Sequence, residues 1–253
     1  MKKYSVIKFA LSMCLGSVVL SPVAGVAYAG DPVTVFFAGD STLHSRVYSD
    51  WKSTNAEVRC LGSWCDELAN YVKGDVRIRN YALSGLSTRS YLEDGHWELL
   101  VMQVNPGDFV YVQFGHNDQK RETRHYAAAD GAYRENLRRF ASEVRARGGH
   151  PVFGTPMVRR IFGADGKVAD GLGDYPETVR KLGRELDVPV VDFNAFSRAL
   201  VEAADPATSL TWYRASVDGK DFTHPTKLGA KVFAKAFVED VKSHHLEFAR
   251  VFR

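Results

Sequence analysis

Four short blocks of this sequence carry residues able to do chemistry, and each follows an apolar run or precedes a helix. The first is Gly39-Asp40-Ser41, directly after Val33–Ala38. Glycine permits a tight turn there, and a serine at such a turn projects its hydroxyl away from the strand end. In Ser84-Gly85-Leu86-Ser87-Thr88 a glycine precedes good helix-capping residues. Backbone N–H groups at a helix start can stabilise a developing oxyanion. Phe114-Gly115-His116-Asn117-Asp118 places an asparagine amide, a neutral donor suited to a tetrahedral oxyanion, at the end of a third apolar run. In Asp221-Phe222-Thr223-His224-Pro225 an aspartate three residues before a histidine can meet one imidazole nitrogen and leave the other free as a base. Acyl transfer through serine needs that set, because a hydroxyl is a poor nucleophile until a base takes its proton.

Each block also has a plainer reading. Gly-Asp-Ser makes an ordinary turn, Gly85 serves as a capping glycine, and Asp-x-x-His can be a surface pair beside a helix cap. For His116 a satisfied structural histidine is the preferred reading. Their joint occurrence raises the odds, provided that the fold brings them to one edge.

The pattern of elements supplies such an edge. Apolar runs at Val33–Ala38, Val76–Leu83, Asp108–Phe114, Pro151–Met157 and Val188–Phe193 alternate with helical segments at Ser63–Lys73, Thr88–Val104, Ala128–Arg147, Pro176–Asp187 and Ala195–Ala204. A final helix spans Thr226–His245. Strands apolar in sequence, separated by helices, predict an α/β sandwich with a five-stranded parallel sheet covered on both faces. In such open sheets ligands bind beyond the carboxyl ends of the strands, where all four blocks would lie. Three longer irregular stretches, Thr42–Gly62, Val158–Asp174 and Asp205–Phe222, could form the surroundings of a site. Within them, or near them, Arg89, Arg159 and Arg160 could meet carboxylates. Trp51, Trp212 and Tyr213 could stack on sugar rings, although core packing is the commoner fate of such residues.

The first residues have a basic start (Lys2, Lys3, Lys8), an apolar middle and Ala27-Tyr28-Ala29 before Gly30. This predicts a secretory signal peptide over 1–29 and one domain over 30–253, in the periplasm or outside the cell. Pro22 and Gly25 interrupt the apolar run, which speaks against a retained anchor. The 33 basic and 30 acidic residues of the chain come into balance once the leader lysines are removed. A neutral chain gives no argument for nucleic acid or an anionic membrane as partner. Cys60 and Cys65, bound for an oxidising compartment, predict a short-loop disulfide rather than a zinc site; two buried free thiols remain the other option.

In this order, the four blocks resemble the SGNH or GDSL hydrolase superfamily, whose hallmark residues here would be Ser41, Gly85, Asn117 and His224. The sequence is similar in particular to the rhamnogalacturonan acetylesterase family. The resemblance lies in Ala38-Gly39-Asp40-Ser41-Thr42, Ser84–Tyr91 with Glu93-Asp94-Gly95, Pro106-Gly107-Asp108 and Gln113–Asp118. It continues in Asp221–His224 with Gly229-Ala230. Leu86 stands where that family would have a polar or basic residue, and Pro225 after His224 is typical of the wider superfamily. The resemblance implies a flavodoxin-like three-layer fold and hydrolysis of acetyl esters on pectic polysaccharide without metal or cofactor. It makes Ser41 the nucleophile, His224 the base and then acid, and Asp221 its orienter. The amides of Ser41 and Gly85 with the Asn117 side chain would form the oxyanion hole. A monomer is expected. The rivals are another acyl substrate, such as acetylated xylan, peptidoglycan or a lipid, and a carbohydrate-binding protein without turnover.

Overall fold

The computed structural model describes residues 32–45 and 62–253. The leader over 1–29, Trp51 and Cys60 therefore lie outside the described residues. Five parallel strands form one sheet: β1 (Val33–Gly39), β2 (Val76–Asn80), β3 (Phe109–Gln113), β4 (His150–Gly154) and β5 (Val190–Val191), in the order β2-β1-β3-β4-β5. Because side chains alternate across a strand, β1 feeds two separate cores. Val35 and Phe37 point with Tyr111 and Val152 towards Trp64, Phe193, Phe237 and Phe248. Phe36 and Ala38 point with Val110, Val112 and Phe153 towards Tyr91, Trp97, Phe140 and Leu182. A strand buried on both faces must be apolar at every position, which is why β1 and β3 read as unbroken apolar runs. Edge strand β2 instead presents Arg77 and Arg79 outwards, charges that discourage further pairing.

The helices depart from the expected spans where local chemistry interrupts them. Expected as one helix, Thr88–Val104 is two, α2 (Thr88–Glu93) and α3 (His96–Val101), following the short α1 (Trp64–Glu67). The break falls at Gly95, whose φ of 76° ends one helix and opens the next. Regular helix in the Ala128–Arg147 stretch begins only at α4 (Arg134–Ala146), after a wide turn in which Gly131 is non-helical. α5 (Tyr175–Leu186) and α6 (Phe193–Ala203) fall close to their expected places. Val188–Phe193 shortens to two strand residues, because Asp192 caps α6 by accepting from the Ala195 N–H. Expected to be irregular, Asp205–Phe222 contains α7 (Pro206–Thr211), capped by Asp205, and α8 (Ala215–Asp218). The last helix is α9 (Lys227–Ser243), capped by Thr226.

The strand order reverses between β1 and β3, so the crevice of this sheet opens at the carboxyl ends of those two strands. Ser41 comes after β1 and Asn117 after β3, one on each side of it.

Candidate active site

Gly39 closes β1 where a side chain has no room. A Cβ there would lie 2.8 Å from the Gln113 carbonyl of β3 and 3.0 Å from the Leu43 side chain. Beyond it the chain folds over Asp40, whose carbonyl accepts from the Leu43 and His44 amides at 3.2 and 3.1 Å. Its carboxylate accepts from the Thr42 amide (3.0 Å) and hydroxyl (2.8 Å). The other Asp40 oxygen faces His116 Nδ1 at 3.3 Å. Burial alone would raise the Asp40 pKa, but His116 and the Thr42 bonds together hold it below the usual carboxylate range. His116 is thus a buried structural partner of Asp40.

At the turn so formed, Ser41 Oγ lies 2.7 Å from His224 Nε2, and His224 Nδ1 lies 2.8 Å from Asp221 Oδ2. An ionised carboxylate can only accept, so Nδ1 carries the proton and Nε2 accepts from the serine hydroxyl. Burial would raise the Asp221 pKa, but the His224 ring and the His224 and Thr223 amides outweigh it and lower the pKa to about 2. Asp221 is therefore a carboxylate at any ordinary pH.

The loop that holds this pair is itself pinned to α7 and α8. The Arg214 amide donates to the His224 carbonyl (2.9 Å), the Ala215 amide to Asp221 (2.8 Å) and the Thr226 amide to Trp212 (2.9 Å). Asp218 accepts from the Asp221 amide at 2.9 Å. Trp212 and Tyr213 are buried against Phe233, so they pack this scaffold rather than offering faces to a sugar.

The two residues expected to supply oxyanion donors follow β2 and β3. Gly85 has a φ of 84°, and a Cβ there would meet no atom within 4 Å. The Asn117 amide is held at both ends: Nδ2 donates to the Leu86 carbonyl at 2.8 Å, and Oδ1 accepts from Lys120 Nζ at 2.7 Å. The second Nδ2 hydrogen meets no acceptor among the described residues. Asp118 ties this loop to the start of α2, accepting from the Thr88 amide (3.0 Å) and hydroxyl (2.5 Å). Burial pushes the Asp118 pKa up to about 7, with the Thr88 bonds resisting. Lys120 and Asp118 were not singled out from the sequence. Only the three-residue spacing from Asn117 to Lys120 hints at the first, and Asp118 needs the tertiary contact to Thr88.

Of the three arginines, Arg89 pairs with Glu93 at 2.7 Å. Arg160 is buried, donating to Ser209 and the Pro206 carbonyl. Arg159 and Arg160 have no acidic partner within ion-pair distance among the described residues, and of these two only Arg159 is part-exposed. Cys65 is buried, while its expected partner Cys60 lies outside the described residues. No three His, Cys, Asp or Glu side chains among the described residues gather in a way that could hold a metal ion. A cavity of about 720 Å³ lined by Phe109, His150, Arg180 and Arg184 lies at the start of β3 and β4, away from Ser41.

The GDSL-like Lipase/Acylhydrolase family matches residues 37–232, which include Ser41, Gly85, Asn117 and His224. The chain belongs to that family. As a GDSL hydrolase it is a carboxylic-ester hydrolase. It is similar to the rhamnogalacturonan acetylesterase RhgT of Bacillus subtilis (strain 168), 35% identical over 83% of this chain and 90% of that protein. It is also similar to a rhamnogalacturonan acetylesterase of Emericella nidulans, 26% identical over 82% of this chain and 84% of that one. Among solved structures, Bacillus subtilis YxiM aligns with a TM-score of 0.74 at 26% identity over 85% of this GDSL hydrolase, which spans 57% of that chain. The acetylxylan esterase Axe2 of Geobacillus stearothermophilus aligns with a TM-score of 0.60 at 18% identity over 84% of this chain and 95% of its own. At that identity the likeness is one of fold.

Proposed function

We propose that this GDSL hydrolase is an exported carbohydrate esterase that removes acetyl groups from an acidic pectic polysaccharide, rhamnogalacturonan, through an acyl-enzyme. The observation that carries the chemistry is the hydrogen-bonded series Ser41 Oγ, His224, Asp221 beyond the carboxyl end of β1. The substrate reading is supported by the named activity of the relatives that align along most of the chain. Export rests on the leader pattern of residues 1–29.

In this reading Ser41 Oγ attacks the acetyl carbonyl carbon while its proton passes to His224 Nε2. Charge on the carbonyl oxygen is met by the amides of Ser41 and Gly85 and by the Asn117 side chain. The bond to the sugar oxygen then breaks as His224 returns its proton to that oxygen. Water, deprotonated by His224, attacks the acetyl-serine, and acetate leaves as Ser41 recovers its proton. Asp221 keeps the ring oriented and stabilises the imidazolium in both halves.

Acetate release from acetylated rhamnogalacturonan and acetylated xylan, measured side by side with Ser41→Ala as the blank, tests this. Preferred release from the pectic polymer is expected, and the blank should show no turnover. Preference for xylan would move the substrate, and turnover by Ser41→Ala would remove the serine mechanism.

A further inference from the structure

Arg159 lies in the irregular stretch that follows β4. The amide of its neighbour Arg160 donates to the Phe222 carbonyl at 2.8 Å, two residues before His224. The guanidinium reaches the other loop, against Gln119, two residues beyond Asn117. With the Gln119 amide turned to satisfy both of its ends, its oxygen accepts from Arg159 Nη1 (2.9 Å) and Nη2 (2.7 Å), and its nitrogen donates to the Gly171 carbonyl (3.1 Å). Nη1 also donates to the Gly171 carbonyl at 2.5 Å. Arg159 therefore spans from the loop of the base to the loop of the amide donor. The carboxylate of Asp40, next to Ser41, is near enough to act on its charge.

How the guanidinium is held decides what it can bind. Gln119 and Gly171 take both Nη1 hydrogens and the end-facing Nη2 hydrogen. What is left is the side fork, Nε–H with the second Nη2–H, which meets no acceptor among the described residues. That fork matches the two oxygens of a carboxylate. A half-buried guanidinium fixed in this way, with no carboxylate within ion-pair distance among the described residues, has lost hydration that an anionic ligand would replace.

We propose that Arg159 binds the carboxylate of a uronic-acid unit of the polysaccharide, through its Nε–Nη2 fork, and so selects acidic over neutral acetylated glycans. The inference rests on the acetylesterase reading above and names the group in the substrate that this site recognises.

The test compares kcat/KM for acetate release from an acetylated rhamnogalacturonan oligosaccharide with that from the same oligosaccharide after its carboxyl groups are converted to neutral methylamides. Wild type, Arg159→Gln and Arg159→Lys are assayed, and acetyl-enzyme formation from 4-nitrophenyl acetate counts the folded sites. The wild type is expected to favour the acidic form by about ten-fold or more, the scale of a charge-assisted bidentate contact. Arg159→Gln should bring that ratio near one, and Arg159→Lys should leave it between the two. Retention of the full ratio by Arg159→Gln, or no discrimination by the wild type, overturns the inference while leaving the acetylesterase reading in place. Should Arg159→Gln not fold, an undiminished ratio in Arg159→Lys has the same force, because lysine lacks the fork. No release from either oligosaccharide, with release from acetylated xylan, overturns the reading and the inference together.

Discussion

Asn117 is useful to an oxyanion only if its amide presents nitrogen and not oxygen to the crevice. Lys120 decides this, because an ammonium can only donate and its contact at 2.7 Å fixes Oδ1 on its side. Asn117→Ala is expected to lower kcat by about 10²- to 10³-fold, the usual cost of one oxyanion donor. Lys120→Met should lower kcat by up to about ten-fold with little change in KM, since only the orientation of the donor is lost. In a double-mutant cycle the Lys120→Met effect should vanish in the Asn117→Ala background, and a full additive loss would show that Lys120 acts elsewhere. Asp221→Asn should cost on the order of 10⁴ in kcat, because the amide no longer enforces the Nδ1–H form of His224. Single-turnover acetylation rates would read both effects.

Elements place these residues through a few close approaches that only glycine allows. Helix α9 begins three residues after His224, and a Cβ on Gly229 would lie 1.9 Å from the Trp212 carbonyl. The same carbonyl accepts from the Thr226 amide, so the first turn of α9 and the His224 loop share one support. Gly229→Ala cannot be accommodated by rotating a side chain, since the obstacle is backbone. It should cost about 1–3 kcal/mol or more of stability and lower kcat by displacing His224. Thermal unfolding and kcat measured together check this; an unchanged Tm would show that α9 can move away without consequence.

The sheet also gives the whole molecule a pH signature. Asp118 sits between the loop after β3 and the start of α2, buried, with one oxygen on Thr88 and the other without a hydrogen-bond partner among the described residues. With a folded pKa of about 7 against the ordinary 3.8, the native state holds a proton that the unfolded chain has released between those values. Its stabilising contribution is complete below about pH 4 and is lost as pH rises through about 7. The slope approaches about 1.4 kcal/mol per pH unit where the two states differ by a full proton. Groups with lowered pKa, such as Asp221 and Asp40, act below that window. Urea unfolding from pH 4 to 8 should show the decline, and Asp118→Asn should flatten it; an equal slope in the variant would place its origin in another group.

Much of this protein was legible in its sequence because strand and helix signals are local. The unbroken apolar runs of β1 and β3 announce strands buried on both faces, and parallel strands in turn put the residues after each strand at one edge. Ser41, Gly85, Asn117, Asp221 and His224 could be singled out on those grounds, with a resemblance to known hydrolases carried by the same blocks. Where local chemistry competes with periodicity, the sequence was less informative: Gly95 divides one expected helix, and Asp192 caps α6 where a strand had been expected to continue. Tertiary structure alone brought Ser41 to 2.7 Å from His224, 183 residues later, and set Lys120 on Asn117 and Asp118 on Thr88. It also sorted the arginines, pairing Arg89, burying Arg160 and leaving Arg159 with an open fork. The physical reason is the same in each case: residue type fixes what a side chain can donate or accept, but its partner is decided by packing between elements distant along the chain.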